Sequence, residues 1–198
     1  MRNRVYTFCY MVAWLFFKVT HPARVTGREH LMSGATLICA NHSSLSDPVY
    51  LVYAASLRYQ VFPMAKAELL EIPVLGWILK HAGVFGVRRG KSDVGAIKQA
   101  MKYLKNGQKV LMFPEGTRVK DDSEAEAKTG AAMLALRTGA PVLPVFIAPK
   151  KTWFRPINIV IGEAYYPKTE GPKPTAEDYR RIADEMRERI YGLEGQIK

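Results

Sequence analysis

Cysteine is scarce in this chain: Cys9 and Cys39 are the only two among 198 residues. Two thiols make neither a disulfide framework nor a zinc site, and such usage fits a reducing compartment. Acidic residues are also few, with 18 Asp and Glu against 29 Lys and Arg, so the formal charge is +11. That excess favours an anionic partner: a membrane surface, a phosphorylated substrate, an acidic carrier protein or nucleic acid. Nucleic acid is the poorest of these, because the basic residues are dispersed and no recognition motif accompanies them. No internal repeat or low-complexity tract is present. A membrane-spanning run is missing too. The longest apolar stretch, Val5 to Phe17, lies between Arg4 and Lys18. As a helix, about 15 residues reach about 22 Å, short of the roughly 30 Å hydrocarbon core. No small-x-small cleavage site follows, so a signal peptide is not expected either.

What is present at the N-terminus is a short aromatic segment with basic flanks, which suits interfacial or re-entrant anchoring. The alternative is a helix packed on the domain's own core. Residues 1–22 are read as this segment and 23–198 as one domain, long enough for a sizeable core.

Along that domain, apolar strand-like runs alternate with helical patterns. Strands are expected at 23–27, 35–40, 59–64, 83–87, 110–113, 141–147 and 157–161. Between them, residues 48–56 and 74–81 read as apolar helices, and Lys66 to Leu70 as a helical turn. Ser92 is placed to cap a helix on which Val94, Ile97, Met101 and Leu104 recur at helical spacing, with Asn106-Gly107 ending it. A further helix runs from Ala131 to Thr138 and stops at Gly139. Thr175 and Asp178 form a capping box for a last helix striped by Tyr179, Ile182, Ala183, Met186, Ile190 and Leu193. The fold class is therefore α/β, with a mostly parallel or mixed central sheet flanked by helices. Ligands in such sheets gather beyond the carboxyl ends of the strands. The segments 41–47, 88–89 and 114–118 each follow a strand, so parallel strands would bring them to one rim.

The first of these segments, Asn41-His42-Ser43-Ser44-Leu45-Ser46-Asp47, carries an imidazole and a carboxylate five residues apart. A strand sends side chains at odd spacing to opposite faces, and a helix leaves them about 140° apart. Only a bend lets them meet. Pro48 favours the first helical position, which makes Asp47 the expected N-cap. Imidazole chemistry at neutral pH makes His42 the candidate general base, with Asp47 setting its tautomer. The competing reading is a solvent-facing histidine beside an ordinary cap.

Glu115-Gly116-Thr117-Arg118 places an acid, a permissive backbone and a guanidinium at a strand end; a tight surface turn would look the same. Arg88, Arg89 and Lys66 are either phosphate contacts or solvated charge. Cys39 lies inside an apolar strand and is expected to be buried rather than nucleophilic. His21, His30 and His81 have no comparable setting, and His42 with Asp47 lacks a third metal ligand.

The motifs together resemble the glycerolipid acyltransferases, in particular the bacterial 1-acyl-sn-glycerol-3-phosphate acyltransferases. Their N-H-x-x-x-x-D motif matches Asn41, His42 and Asp47, and F-P-E-G-T-R matches Phe113 to Arg118 unchanged. An apolar stretch ending in Asp-Arg matches Gly83 to Arg89, except that Arg88 stands where the family has aspartate. The apolar strand with V-P or L-P matches Ala140 to Ile147, and Lys128 and Gly130 resemble the family's Lys-x-Gly.

The resemblance implies a glycerol-3-phosphate acyltransferase-like αβ domain with an N-terminal membrane-interfacial helix, peripheral or monotopic on the cytoplasmic face of the cell membrane. It implies transfer of a fatty acyl group to the sn-2 hydroxyl of lysophosphatidate, giving phosphatidate. The donor would be acyl-CoA or acyl-carrier protein, with no cofactor, metal or covalent enzyme intermediate. His42 would be the base and Asp47 its orienter. Lys66, Arg89, Glu115, Gly116, Thr117 and Arg118 would hold the glycerol phosphate. Backbone N–H groups of the elbow are candidate oxyanion donors. Glycerol 3-phosphate, a lyso-phospholipid or a lyso-aminolipid is the alternative acceptor. A non-catalytic membrane-binding module is the reading from another class.

Overall fold

In a computed structural model of the chain, residues 4–55, 58–88, 93–116, 129–169 and 171–197 are described. Seven strands form one sheet: β1 (Ala23–Thr26), β2 (Thr36–Ala40), β3 (Val61–Lys66), β4 (Phe85–Val87), β5 (Lys109–Met112), β6 (Val142–Ile147) and β7 (Ile157–Ile161). The helices are α1 (Arg4–Thr20), α2 (Asp47–Ala54), α3 (Leu75–His81), α4 (Val94–Lys105), α5 (Gly130–Thr138) and α6 (Ala176–Tyr191).

The strand order is β1-β7-β6-β2-β5-β3-β4. β2 pairs in parallel with both β5 and β6, with Ile38 opposite Leu111 and Leu143. β3 runs parallel to β5 and to β4. β7 turns back antiparallel against β6, and β1 lies parallel to β7. The sheet is thus mixed, with five central and edge strands pointing the same way. The segments after β2, β4 and β5 consequently leave from one rim, as expected.

Helices cover both faces, which explains why β2, β5 and β6 are buried at every position. Alternate residues serve alternate cores. Leu37, Cys39, Val110, Met112 and Phe146 face the layer made with α4, α5 and α6. Ile38, Ala40, Leu111, Leu143, Val145 and Ile147 face Tyr50, Leu51 and Ala54 of α2. The α6 stripe of Ile182, Ala183, Met186, Ile190 and Leu193 is buried, and the Thr175–Asp178 capping box is formed. α5 ends at Gly139 in the left-handed conformation, φ 66°.

Two helix expectations need correction. Asp93 caps α4, its Oδ1 accepting from the Ala96 amide at 3.0 Å; Ser92 lies outside the described residues. The buried side of α4 is Ala96, Ala100 and Leu104, with Ile97 and Met101 of the expected stripe partly buried against the same core and only Val94 exposed. A short alanine face lets α4 sit close to the sheet and α5, so the helix rotates past its first β-branched residue.

α1 has two different sides. Tyr6 is buried, and its hydroxyl donates to the Tyr59 carbonyl while accepting from the Val61 amide, both at 3.3 Å. Tyr10 donates to the Tyr53 carbonyl, and Phe17 packs edge-on to Tyr50 with ring centroids 4.7 Å apart. Opposite these, Phe8, Met11, Val12, Leu15, Phe16 and Val19 are exposed and follow helical spacing along one stripe. Among the described residues, no helix is long and apolar enough to cross a membrane.

Candidate active site

The site is assembled where β2, β5 and β6 end. Asn41 directly follows β2 and clamps it to β6. Its amide nitrogen donates to the Ile147 carbonyl at 2.9 Å, and its oxygen accepts the Ile147 amide at 2.8 Å. This pair satisfies both backbone groups of the last β6 residue and starts the elbow at a fixed point.

His42 follows, buried and stacked on Phe113 with ring centroids 4.0 Å apart. The elbow then turns through Ser43 to Ser46 and delivers Asp47 beneath the imidazole. His42 Nδ1 and Asp47 Oδ2 are 3.1 Å apart. A carboxylate at Nδ1 leaves the imidazole lone pair on Nε2. The two side chains do meet across a bend.

The reason for the bend differs from the expected N-cap. α2 opens at Asp47, Ser46 is the cap residue, and no side chain caps it. Asp47 Oδ2 instead points backwards, accepting the Ser43 and Ser44 amides at 2.7 and 2.6 Å. One oxygen therefore holds the loop and the imidazole together. The same bonds and their neighbours engage four of the elbow amides. Those of Ser43 and Ser44 serve Asp47, that of His42 serves Glu115, and that of Ser46 meets Ser44 Oγ.

Asp47 is wholly buried, and burial alone would push its carboxyl up. His42, Lys151 and the Ser44 amide outweigh that and hold it below the usual carboxylate range. Lys151, in the loop after β6, brings Nζ to 2.8 Å from Asp47 Oδ1. The contact is a close ion pair to the oxygen that His42 does not use. Lys151 also donates to Ser43 Oγ at 2.9 Å.

Glu115 is buried beneath the elbow. Oε2 accepts the His42 amide at 3.2 Å, and Oε1 accepts the Tyr191 hydroxyl of α6 at 2.7 Å. Gly116 turns the chain here with φ 68°, its amide donating to the Phe113 carbonyl at 3.0 Å. Lys66 ends β3 on the same rim, largely exposed and paired with Glu68 at 3.2 Å. Arg88 is exposed, and its amide donates to Asp93 Oδ2. Arg89, Thr117, Arg118 and Lys128 lie outside the described residues. Cys39 is buried and burial raises its thiol pKa, which suits packing and not nucleophilic attack. His30 Nδ1 meets the Ile161 carbonyl and His81 Nδ1 the Trp77 carbonyl, so both have structural partners.

Lys151, Tyr191 and the clamp made by Asn41 carry no signal in local spacing. Lys151 stands in Pro149-Lys150-Lys151-Thr152, where either lysine looks solvated. Tyr191 reads as one more apolar residue at the end of α6.

Comparison with known proteins places this geometry. The 1-acyl-sn-glycerol-3-phosphate acyltransferase of Bacillus subtilis is 30% identical over 200 residues, covering 98% of this chain and 98% of that one. A chloroplastic relative from Brassica napus with the same enzyme name is 35% identical over 125 residues, but this chain spans only 36% of its length. The crystal structure of the 1-acyl-sn-glycerophosphate acyltransferase of Thermotoga maritima superposes with a TM-score of 0.68 at 28% identity, over 98% of this chain and 77% of that one. The Acyltransferase family model matches residues 22–148, from β1 through the elbow and the β5 loop to the end of β6. With well over half of its length matched, the chain belongs to the Acyltransferase family.

Proposed function

We propose that the protein transfers a fatty acyl group from an acyl thioester to the sn-2 hydroxyl of 1-acyl-sn-glycerol 3-phosphate. The observation that carries this reading is the buried His42–Asp47 pair at 3.1 Å, preformed on the rim where parallel strands end. His42 Nε2 removes the hydroxyl proton. The oxygen attacks the thioester carbonyl, and the C–S bond breaks as the tetrahedral intermediate collapses. The departing thiolate takes the proton from the imidazolium, which returns His42 to its base form. Thiols ionise near pH 8.5, so the leaving group needs no metal.

Lys66, Arg89 and Arg118 supply positive charge for the acceptor's phosphate, and Gly116 and Thr117 belong to the same acceptor site. Glu115 stands beside them at the acceptor site, and its bond to the His42 amide ties that site to the elbow. The donor is acyl-CoA or an acyl-carrier protein, and the +11 charge attracts either.

The acceptor resides in a bilayer, and residues 1–22 serve as the segment that meets it, ahead of the acyltransferase domain at 23–198. The exposed stripe of α1 supports a peripheral or monotopic position on the cytoplasmic membrane face. α1 has 17 residues, so it lies in the interface at about 25 Å of length.

The test is purified protein with lysophosphatidate and a panel of acyl-CoA and acyl-carrier donors, beside His42→Ala. Wild type should form phosphatidate, and His42→Ala should lose roughly 10²–10⁴-fold of that rate. Undiminished turnover in the variant would sink the mechanism. Acylation of only glycerol 3-phosphate, or only a lyso-aminolipid, would replace the named acceptor.

A further inference from the structure

The Asp47 carboxylate has two differently occupied oxygens. Oδ2 gathers the His42 imidazole and the Ser43 and Ser44 amides. Oδ1 faces one group, the Lys151 ammonium at 2.8 Å. Lys151 comes from another part of the chain, the loop between β6 and β7, and its side chain is only 10% exposed. Its other donors are taken by Ser43 Oγ at 2.9 Å and the Ala148 carbonyl at 3.3 Å, with the Pro149 carbonyl at 3.4 Å. Four oxygens therefore fix a lysine whose chain has several free rotors. Nothing in the residue spacing of the elbow requires it.

A buried carboxylate beside an imidazole has two effects. It selects the tautomer, and it stabilises the imidazolium. The second effect works against a general base, because a histidine that holds its proton too tightly cannot accept another. A cation on the far oxygen offsets that charge while leaving the hydrogen bond in place.

We propose that Lys151 is a positioning residue for His42, acting through Asp47: it holds Oδ1 so that Oδ2 faces Nδ1, and its charge keeps the imidazole available as a base. The lowered Asp47 carboxyl pKa agrees with this arrangement. The charged and titratable groups facing His42 are Asp47 from the start of α2, Glu115 from the β5 loop through the His42 amide, and Lys151 through Asp47. Phe113 faces it as an uncharged ring. The inference rests on His42 being the base.

Two substitutions separate charge from packing. Lys151→Gln keeps an amide donor for Ser43 Oγ and removes the charge; Lys151→Arg keeps the charge. The rate profile kcat/KM against pH is measured for both from pH 5 to 9 with lysophosphatidate in mixed micelles. In Lys151→Gln the carboxylate is uncompensated, so protonated His42 persists to higher pH. The acid limb should move up by about one pH unit, a loss of about tenfold at pH 6 that narrows above pH 8. Lys151→Arg should keep the wild-type limb. A Lys151→Gln limb that does not move, or the same profile for Gln and Arg, overturns the inference. So does loss of cooperative unfolding in both variants, which would make Lys151 a structural member only. Failure here is distinct from failure of the base reading: a dead His42→Ala with an unmoved Lys151→Gln limb removes only the lysine's role.

Discussion

Tyr191 closes α6 and donates to Glu115 Oε1 at 2.7 Å, while Glu115 Oε2 accepts the His42 amide at 3.2 Å. The C-terminal helix is thereby tied to the backbone of the elbow through one buried carboxylate. A buried acceptor left without its donor costs about 1–3 kcal/mol. Tyr191→Phe removes the donor and leaves the His42 amide bond and the His42–Asp47 pair intact. Denaturant unfolding should show a loss of about 1–3 kcal/mol, while turnover falls less than tenfold. Wild-type stability in that variant would show that the bond contributes nothing net.

The Asn41 clamp should matter more. Both amide atoms of its side chain are used on Ile147, and Asn41 is buried. Asn41→Leu leaves the Ile147 N–H and carbonyl without their side-chain partners. Each unpaired buried group costs about 1–3 kcal/mol. A loss of about 2–5 kcal/mol is expected by thermal or urea unfolding, together with lower activity as the elbow loosens. Restoring kcat at high substrate would contradict an elbow held by this clamp.

Lys109 gives a pH dependence whose sign can be worked out. It is 3% exposed, donates to the Gly34 carbonyl at 2.8 Å, and sits 4.4 Å from the Tyr59 ring centroid. Burial pulls its pKa down from 10.5 to about 8. Between those values the unfolded chain binds more protons than the folded one, so this group makes stability rise with pH there. The slope is at most about 1.4 kcal/mol per pH unit. Tyr50 and Tyr165 act the other way above pH 10, because burial raises both. The comparison is therefore wild type minus Lys109→Met between pH 8 and 10. The difference should shrink or turn against the methionine variant as pH rises, with methionine favoured most at pH 7 to 8. A difference independent of pH would mean that Lys109 keeps an ordinary proton affinity.

Much of this arrangement was legible in the residues because the signals are local. The spacing of His42 and Asp47 required a bend, and Pro48 set the start of α2. Strand-like runs alternating with helical patterns implied a sheet flanked by helices, and parallel strands implied one shared rim. What escaped depends on partners far apart in the chain. Lys151 and Asp47 are joined only when the β6–β7 loop folds back over the elbow. Tyr191 meets Glu115 only once α6 packs on the sheet. Asp47 read as a helix cap because its sequence position is that of a cap; its carboxylate turned backwards because two elbow amides and an imidazole outnumber what the first turn of α2 offers. The reversal of β7 had no local mark either, since an apolar strand reads the same in both directions.

The exposed face of α1 supplies the last prediction. Phe8, Met11, Val12, Leu15, Phe16 and Val19 lie outward, while Tyr6, Tyr10 and Phe17 hold the helix to the domain. Near the end of α1, the β6–β7 loop adds a second apolar point. The Phe154 amide donates to the Thr20 carbonyl at 2.7 Å, the His21 and Trp153 rings lie 4.5 Å apart, and Trp153 and Phe154 are both exposed. A large apolar side chain gains about 1.5–3 kcal/mol when fully buried, and about half of that is reasonable for a side chain seated at an interface. Leu15→Ser with Phe16→Ser should then weaken binding to anionic vesicles by at least about tenfold, since about 1.4 kcal/mol is one decade. Trp153→Ser with Phe154→Ser should weaken it separately, and the two pairs together more than either. Leu15 and Phe16 lie on the exposed side of α1, so for that pair thermal unfolding and turnover of a short-chain, micelle-free substrate should stay near wild type. Co-sedimentation with vesicles at several salt concentrations reads the result. Vesicle binding that survives all four substitutions would place the membrane contact on another face.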